Sequence, residues 1–246
     1  MMTRLSVNLN KIALLRNSRG HNSPDLIEFA HKALSAGAGG ITVHPRPDQR
    51  HTKYTDVGAL SEFIRGWPEA ELNIEGYPDE TFIEVVLRHR PHQVTLVPDA
   101  PGQLTSDHGW DLIQHAEFVH SVVKILQQEG IRTSLFLDPE SEQIDIAASI
   151  RTDRIELYTA AYAASYGTSR EHPTLELYRQ AAIHAQSAGL GVNAGHDLSL
   201  ANLGKFITIR GILEVSIGHA LTVESLDHGF KTVVKKYLDI IAAAAG

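Results

Sequence analysis

The sequence contains no cysteine. That absence excludes disulfides, thiolate zinc sites and cysteine nucleophiles together. No stretch approaches the roughly 20 apolar residues of a membrane span, and Met1 to Asn10 hold no apolar run of signal-peptide length. A soluble cytoplasmic protein is the expectation. Basic residues are in the minority, with 22 Lys plus Arg against 29 Asp plus Glu, a formal charge of −7. A general nucleic-acid or anionic-membrane binder needs the opposite balance. A few local donors could still hold one small anion. A hydrophobic share of 43% and a charged share of 21% rule out a disordered or low-complexity chain. No Pro/Gly/Ser-rich linker divides the 246 residues, so one domain spanning 1–246 is expected.

Short β-rich runs recur about every thirty residues: Leu5–Leu9, Gly40–Pro45, Glu71–Glu75, Gln93–Pro98, Thr133–Asp138, Arg154–Thr159, Gly191–His196 and Ile212–Gly218. Helical spacing fills the intervals. Between Pro24 and Ala36, residues Leu26, Ile27, Ala30 and Leu34 share a face, with Ser23 as cap, Pro24 in first position and Gly37 as stop. Gly130 and Gly189 close later helices, and Thr55 reads as another N-cap. Strand, loop and helix repeated about eight times predict an α/β fold, a single (β/α)8 TIM barrel with extra helices. The rival open sheet usually carries a glycine-rich dinucleotide loop after strand one, where this chain has Asn10-Lys11-Ile12-Ala13. Asn10 to Asn22 and Asp99 to Trp110 read as long loops, candidates for lids or binding loops.

A parallel barrel gathers its chemistry where the strands end. Those ends carry Asn8 and Asn10, His44 and Arg46, Glu75, Asp99, Asp138, Glu156, Asn193 with His196, and Gly218-His219. The same strands read as starting on apolar or small residues, an asymmetry expected of a site. Each member has a bland reading. His44 or His196 could be a hydrogen-bonded loop residue, and Glu75 a solvated turn residue. Glu156, between Ile155 and Leu157, would cost several kcal/mol in a buried strand unless paired with a nearby Arg or Lys or used in function.

Two anion sites are expected. Gly218-His219-Ala220 leads from strand eight into a helix, where backbone N–H groups and the helix dipole favour negative charge; Gly195-His196-Asp197 would form its other half. Arg46, Arg50 and His51 make the second, with Arg16 and Arg19 adding two more guanidinium groups; the bland alternative is a basic surface loop. Only Lys11 stands near a strand end for Schiff-base chemistry. The scattered His44, His196 and His219 lack a carboxylate at helical spacing, so no metal is expected. His108, His115 and His120 read as exposed residues without a role, and Trp67 and Trp110 as packing.

At these residues the sequence resembles a known family. Leu5 to Ile12 with Leu15-Arg-Asn-Ser-Arg-Gly20, Gly40 to His51, Leu72-Asn-Ile-Glu75, Leu96-Val-Pro98, Ser134-Leu-Phe136, Val192-Asn-Ala-Gly-His196 and Ile217-Gly-His219 are similar to the pyridoxine 5′-phosphate synthases. The blocks run in order over nearly the whole chain; each alone is weak, and together they are highly specific. The resemblance implies a cytoplasmic barrel assembled as a homo-octamer. It would condense 1-deoxy-D-xylulose 5-phosphate with 3-amino-2-oxopropyl phosphate into pyridoxine 5′-phosphate, phosphate and water, using no metal or organic cofactor. His44 and Glu75 would be proton acceptors, His196 the donor, and Glu156 a stabiliser of cationic transition states. Asn8, Arg19, Asp197, Gly218 and His219 would hold the aminoketone phosphate; Arg46, His51 and Thr105 would hold the deoxyxylulose phosphate, with the loop around Thr105 as lid. Asn10-Lys11 replaces the Asp-His of many members in the deoxyxylulose subsite, making it more positive. Asp197 replaces a glycine, so only a backbone contact carries over. The alternatives are another phosphosugar isomerase or epimerase, and a non-catalytic phosphate-binding module.

Overall fold

The computed structural model describes residues 2–99 and 102–244. Eight parallel strands close into a barrel in chain order: β1 (Arg4–Asn8), β2 (Gly40–Val43), β3 (Glu71–Gly76), β4 (Gln93–Leu96), β5 (Arg132–Leu137), β6 (Arg154–Tyr158), β7 (Gly191–Gly195) and β8 (Ile212–Ile217), which pairs back onto β1. The open-sheet alternative is thereby excluded. All eight strands lie where the sequence placed them, within two residues at either end. Positions 100 and 101 of the long loop after β4 fall outside the described residues.

The strands alternate with period two. Leu5, Val7, Ile41, Val43, Leu72, Ile74, Leu135, Ile155, Val215 and Ile217 point outward and are buried under the helical layer. Every second residue points into the lumen, which is polar: Ser6, Thr42, Asn73, Thr95, Ser134, Glu156, Asn193, Glu214 and Ser216 are all buried. Ser6 and Thr42 hydroxyls share a hydrogen bond of 2.6 Å, and Thr95 donates to Asn73 Oδ1 at 3.1 Å. Gln93 on β4 reaches Glu214 on β8 at 3.4 Å, across the lumen. A parallel strand buried on both sides usually reads as a continuous apolar run; here the inner stripe is mostly hydrophilic, with Phe136 on β5 an apolar exception.

The helical layer comprises α1 (Asn10–Asn17), α2 (Leu26–Ser35), α3 (Tyr54–Ile64), α4 (Glu80–His89), α5 (Leu112–Gln128), α6 (Ser141–Ile150), α7 (Ala160–Ser165), α8 (Glu171–Ser187), α9 (Leu203–Phe206), α10 (His219–His228) and α11 (Phe230–Ala244). Doubled helices follow β1, β6 and β8, giving the expected extra helices. Gly130 and Gly189 take φ of +72° and +85° just past α5 and α8, as stops. Among the described residues no helix is long and apolar enough to cross a membrane.

Four local expectations are corrected. The stretch Asn10–Asn22 is not all loop, because its first eight residues form α1, which buries Ile12 and Ala13; the four contiguous apolar residues there carry no clear helical period. Helix α2 starts at Leu26 rather than Pro24, because the Asp25 carboxylate accepts from Glu28 N at 2.9 Å and takes the cap from Ser23. Helix α3 is capped at Lys53, not Thr55, because Asp56 reaches back to Lys53 N at 2.7 Å. The strands do not start on apolar or small residues: Arg4, Glu71, Gln93, Arg132 and Arg154 open five of them. Arg4 Nη1 lies 2.7 Å from Glu71 Oε1, Arg132 pairs with the same carboxylate, Arg132 Nε donates to Gln93 at 2.9 Å, and Arg154 Nη1 donates to Asn193 at 3.2 Å. A charged network therefore closes the floor of the lumen.

Candidate active site

The C-terminal ends of the strands surround a cavity of about 460 Å³. Its lining includes Asn8, Asn10, Lys11, His44, Arg46, His51, Glu75, Thr105, Glu156, His196, Asp197, Gly218 and His219. Positions as distant in sequence as Asn8 and His219 thus meet on one rim. Arg19 is the exception among the expected site residues. It is exposed and lines a neighbouring cleft of about 390 Å³ with Asn17, His21, Lys53 and Thr55. Arg16, grouped with the basic patch from sequence, is instead buried and committed to the fold, with Nη1 2.7 Å and Nη2 2.8 Å from the two Asp56 oxygens.

Each acid–base group is set by its strand. His44 stands one residue beyond β2, its backbone N–H donating to Asn10 Oδ1 at 2.8 Å. Its ring lies between two carboxylates, with Nδ1 4.0 Å from Glu75 Oε2 and Nε2 3.8 Å from Asp99 Oδ2. Burial, and then the positive charge of Arg46, hold its pKa well below the usual histidine value. Glu75 is buried, so it is not a solvated turn residue; it lies 3.4 Å from Asn8 Nδ2 and 4.0 Å from the His44 ring. Burial, with the like charges of Asp99 and Glu214, pushes it up to about 8. Among the described residues no arginine or lysine pairs with Glu156. Thr95 Oγ1 lies 3.5 Å from its Oε2, and burial followed by the charge of Glu75 raises its pKa well above the carboxylate range. Gly195 makes room for it: a Cβ there would stand 2.1 Å from Glu156 Oε1.

His196 and Asp197 both adopt the left-handed backbone, at φ +76° and +57°. For Asp197 this is a conformation that glycine takes freely and aspartate tolerates. Thr159 holds the turn by donating to Gly195 O at 2.7 Å and to His196 O. The His196 ring packs edge-on against Phe136 and Tyr158, each at 5.3 Å between centroids. Burial lowers its pKa, partly offset by Asp197 and Asp99.

The two sets of anion donors flank β1, one after β8 and one after β2. Gly218 caps α10, whose first residue is His219. A Cβ on Gly218 would meet Asn8 Cβ at 2.9 Å, so strand β1 and this helix start can approach only through glycine. After β2, Arg46 Nη1 donates to Gln103 O at 3.1 Å and Arg50 Nη1 to Leu104 O at 3.4 Å, tying the basic loop to the segment that carries Thr105. His51 Nδ1 accepts from Thr52 N at 2.9 Å, and burial with Arg46 brings its pKa to about 4. It is therefore a neutral imidazole with the proton on Nε2. Asn10 Oδ1 accepts from Thr52 Oγ1 at 2.9 Å as well as from His44 N, so its side chain braces both ends of the loop after β2. Ser106, Ser216 and Leu198 also line the cavity, and no sequence motif singled them out. The fold is that of a (β/α)8 barrel, and a cup with four titratable groups below phosphate-type donors is an arrangement able to move protons over an anionic substrate.

Comparison with known proteins agrees. The family described as pyridoxal phosphate biosynthesis protein PdxJ matches residues 5–243. The pyridoxine 5′-phosphate synthase of Flavobacterium johnsoniae is 50% identical over 238 residues, covering 96% of this chain and 98% of that protein. That of Xanthomonas oryzae pv. oryzae is 48% identical over 249 residues, covering 98% and 97%. The chain belongs to this family of vitamin B6 biosynthesis enzymes. The tryptophan synthase α-subunit of Pyrococcus furiosus superposes with a TM-score of 0.64 at 16% identity, over 97% of this chain and 100% of that one, a likeness of fold alone.

Proposed function

We propose that this cavity condenses 1-deoxy-D-xylulose 5-phosphate with 3-amino-2-oxopropyl phosphate to give pyridoxine 5′-phosphate, inorganic phosphate and water. The observation that supports it most is the convergence of His44, Glu75, Glu156 and His196 below two separate anion-binding rims. Arg46, His51, Thr105, Asn10 and Lys11 would receive one phosphate; Asn8, Gly218, His219 and the backbone of Asp197 the other. Ring closure requires imine formation, loss of one phosphate, carbon–carbon bond formation and dehydration, and each step transfers protons.

The electrostatics assign directions. His44, held neutral by burial, is ready to accept a proton. Glu75, at about 8, carries its proton over most of the neutral range; a positive charge developing on an intermediate beside it would lower that value, release the proton to solvent and leave the carboxylate as a base. Burial and the charge of Glu75 favour the protonated form of Glu156. A developing positive charge beside it would lower its pKa and turn it into the counter-ion, so its stabilisation is strongest in the transition state. His196 is held neutral by burial and becomes a donor once a phosphate dianion on the neighbouring rim raises its pKa. A homo-octamer in the cytoplasm belongs to the same reading through the family resemblance, and sedimentation of the purified protein measures its assembly.

The deciding experiment mixes purified protein with both phosphorylated substrates and omits each in turn. The expected result is pyridoxine 5′-phosphate and free phosphate only with both present. A folded sample that makes no product overturns the proposal, and turnover of a single phosphosugar points to an isomerase or epimerase.

A further inference from the structure

Asp99 is a buried carboxylate at the exit of β4 that the roles above leave unused. Its Oδ2 accepts from Arg46 Nη2 at 2.5 Å and from Ser106 Oγ at 2.8 Å, and lies 3.8 Å from His44 Nε2. Its Oδ1 is buried and has no hydrogen-bond partner among the described residues. One oxygen therefore serves the basic loop and the 102–110 segment, while the other has spare capacity beside the site. A buried carboxylate oxygen left empty is unfavourable by an amount comparable to a lost hydrogen bond, so any donor within reach is drawn to it.

We propose that Asp99 is a positioning residue for the reaction: it takes the Nε2 proton side of His44 when a substrate phosphate takes Arg46, leaving Nδ1 as the base that faces Glu75. This rests on the function proposed above. Arg46 is the closest donor to Asp99. A phosphate dianion on the same guanidinium competes for it through bidentate contact. Asp99 then keeps Ser106, and His44 Nε2 is the nearest remaining donor, closed by a small rotation of either group. A carboxylate bonded to one imidazole nitrogen selects the tautomer that leaves the other nitrogen free. The bond would thus couple three events: arrival of the phosphate, seating of the segment carrying Thr105 and Ser106, and orientation of His44. Neither gap to the ring, 3.8 Å or 4.0 Å, is short enough for a hydrogen bond, so a further movement of His44 or Asp99 is needed to orient the base.

The test compares the wild type with Asp99→Asn and Asp99→Glu, reading kcat, the KM for each substrate, the pH profile of kcat/KM, circular dichroism, and imidazole 15N shifts with and without inorganic phosphate. Asp99→Asn is expected to fold and to lose at least about tenfold in kcat, with a smaller change in either KM. Asp99→Glu should recover part of that loss. The groups facing Asp99 are Arg46, Arg50, His44, Glu75 and His196. Because Asp99 raises the pKa of both Glu75 and His196, its neutralisation should move the profile toward lower pH. Phosphate should shift the His44 nitrogens toward the Nε2–H form in the wild type and leave them unmoved in Asp99→Asn. A folded Asp99→Asn with kcat within threefold of wild type, or with an unmoved pH profile, overturns the proposal. An Asp99→Asn that melts early while kcat and profile stay normal also overturns it, since Asp99 would then be structural. A wild type without turnover would instead refute the proposed function.

Discussion

At the floor of the lumen, Glu71 lies between Arg4 and Arg132; further along the same strand, at the mouth, Glu75 has no arginine or lysine ion-pair partner among the described residues and sits against an asparagine amide and a neutral imidazole. Both face inward. Burial alone would raise Glu71, but the guanidinium groups of Arg132, Arg4 and Arg154 together outweigh it and lower its pKa. Burial raises Glu75 with little to oppose it, to about 8. The floor is a set of charges satisfied by each other, so it contributes to the fold and is chemically quiet. The mouth is a set of groups left short of partners, which costs stability and leaves protons available for transfer.

The largest expected break in that contrast is Glu75→Gln. The amide keeps the shape and removes the titrating group, so turnover should fall by about 10²–10⁴-fold while the fold persists. A coupled assay of product and phosphate, with circular dichroism, checks it; near-normal turnover would make Glu75 structural. Next comes Glu71→Gln, which leaves Arg4 and Arg132 without their shared carboxylate. Denaturant unfolding should show a loss of about 1–3 kcal/mol, with turnover little changed. A stability equal to wild type would show the floor to be dispensable.

The two ends should also respond to pH in opposite senses. Glu75 has a raised folded pKa, so its stability contribution is fully present below the unfolded value of 4.5 and is lost as pH rises through about 8. Glu71 has a lowered folded pKa, so its contribution is present above 4.5 and is lost as pH falls through the folded value. Melting from about pH 5 to pH 9 should therefore bring the wild type down relative to Glu75→Gln, and melting at pH values below 4.5 should bring the wild type down toward Glu71→Gln. Parallel curves for all three would refute the contrast. The smallest effect belongs to Arg4→Gln. Its side chain is 37% exposed and Arg132 remains on Glu71, so the loss should stay under about 1 kcal/mol, with kcat unchanged.

The strand ends show what was readable in advance. His44, Glu75, Glu156 and His196 could be named because each follows or sits within a short β-rich run, and a parallel barrel sends all such exits to one rim. The floor was missed for a related reason. Arg4, Glu71, Arg132 and Arg154 stand at strand starts, where a charged residue looks like ordinary loop polarity until closure turns it inward. Arg16 and Arg19 were grouped by charge, and only packing separated them. Arg16 is consumed by Asp56 from α3, and Arg19 faces a different cleft. Asp99 was visible as a strand exit, but its link to Ser106 in its own loop and to Arg46 and His44 after β2 joins two loops that no spacing rule connects.

The sequence by itself determined the repeating strand–helix order, the outward apolar stripe and the residue types at each exit, because period, capping and turn chemistry act over a few neighbours. Tertiary structure decided which of those polar groups are starved of partners and which are satisfied. That depends on burial and on charges brought close from other strands, and a carboxylate's proton affinity is set by its surroundings in space, not by its neighbours in the chain.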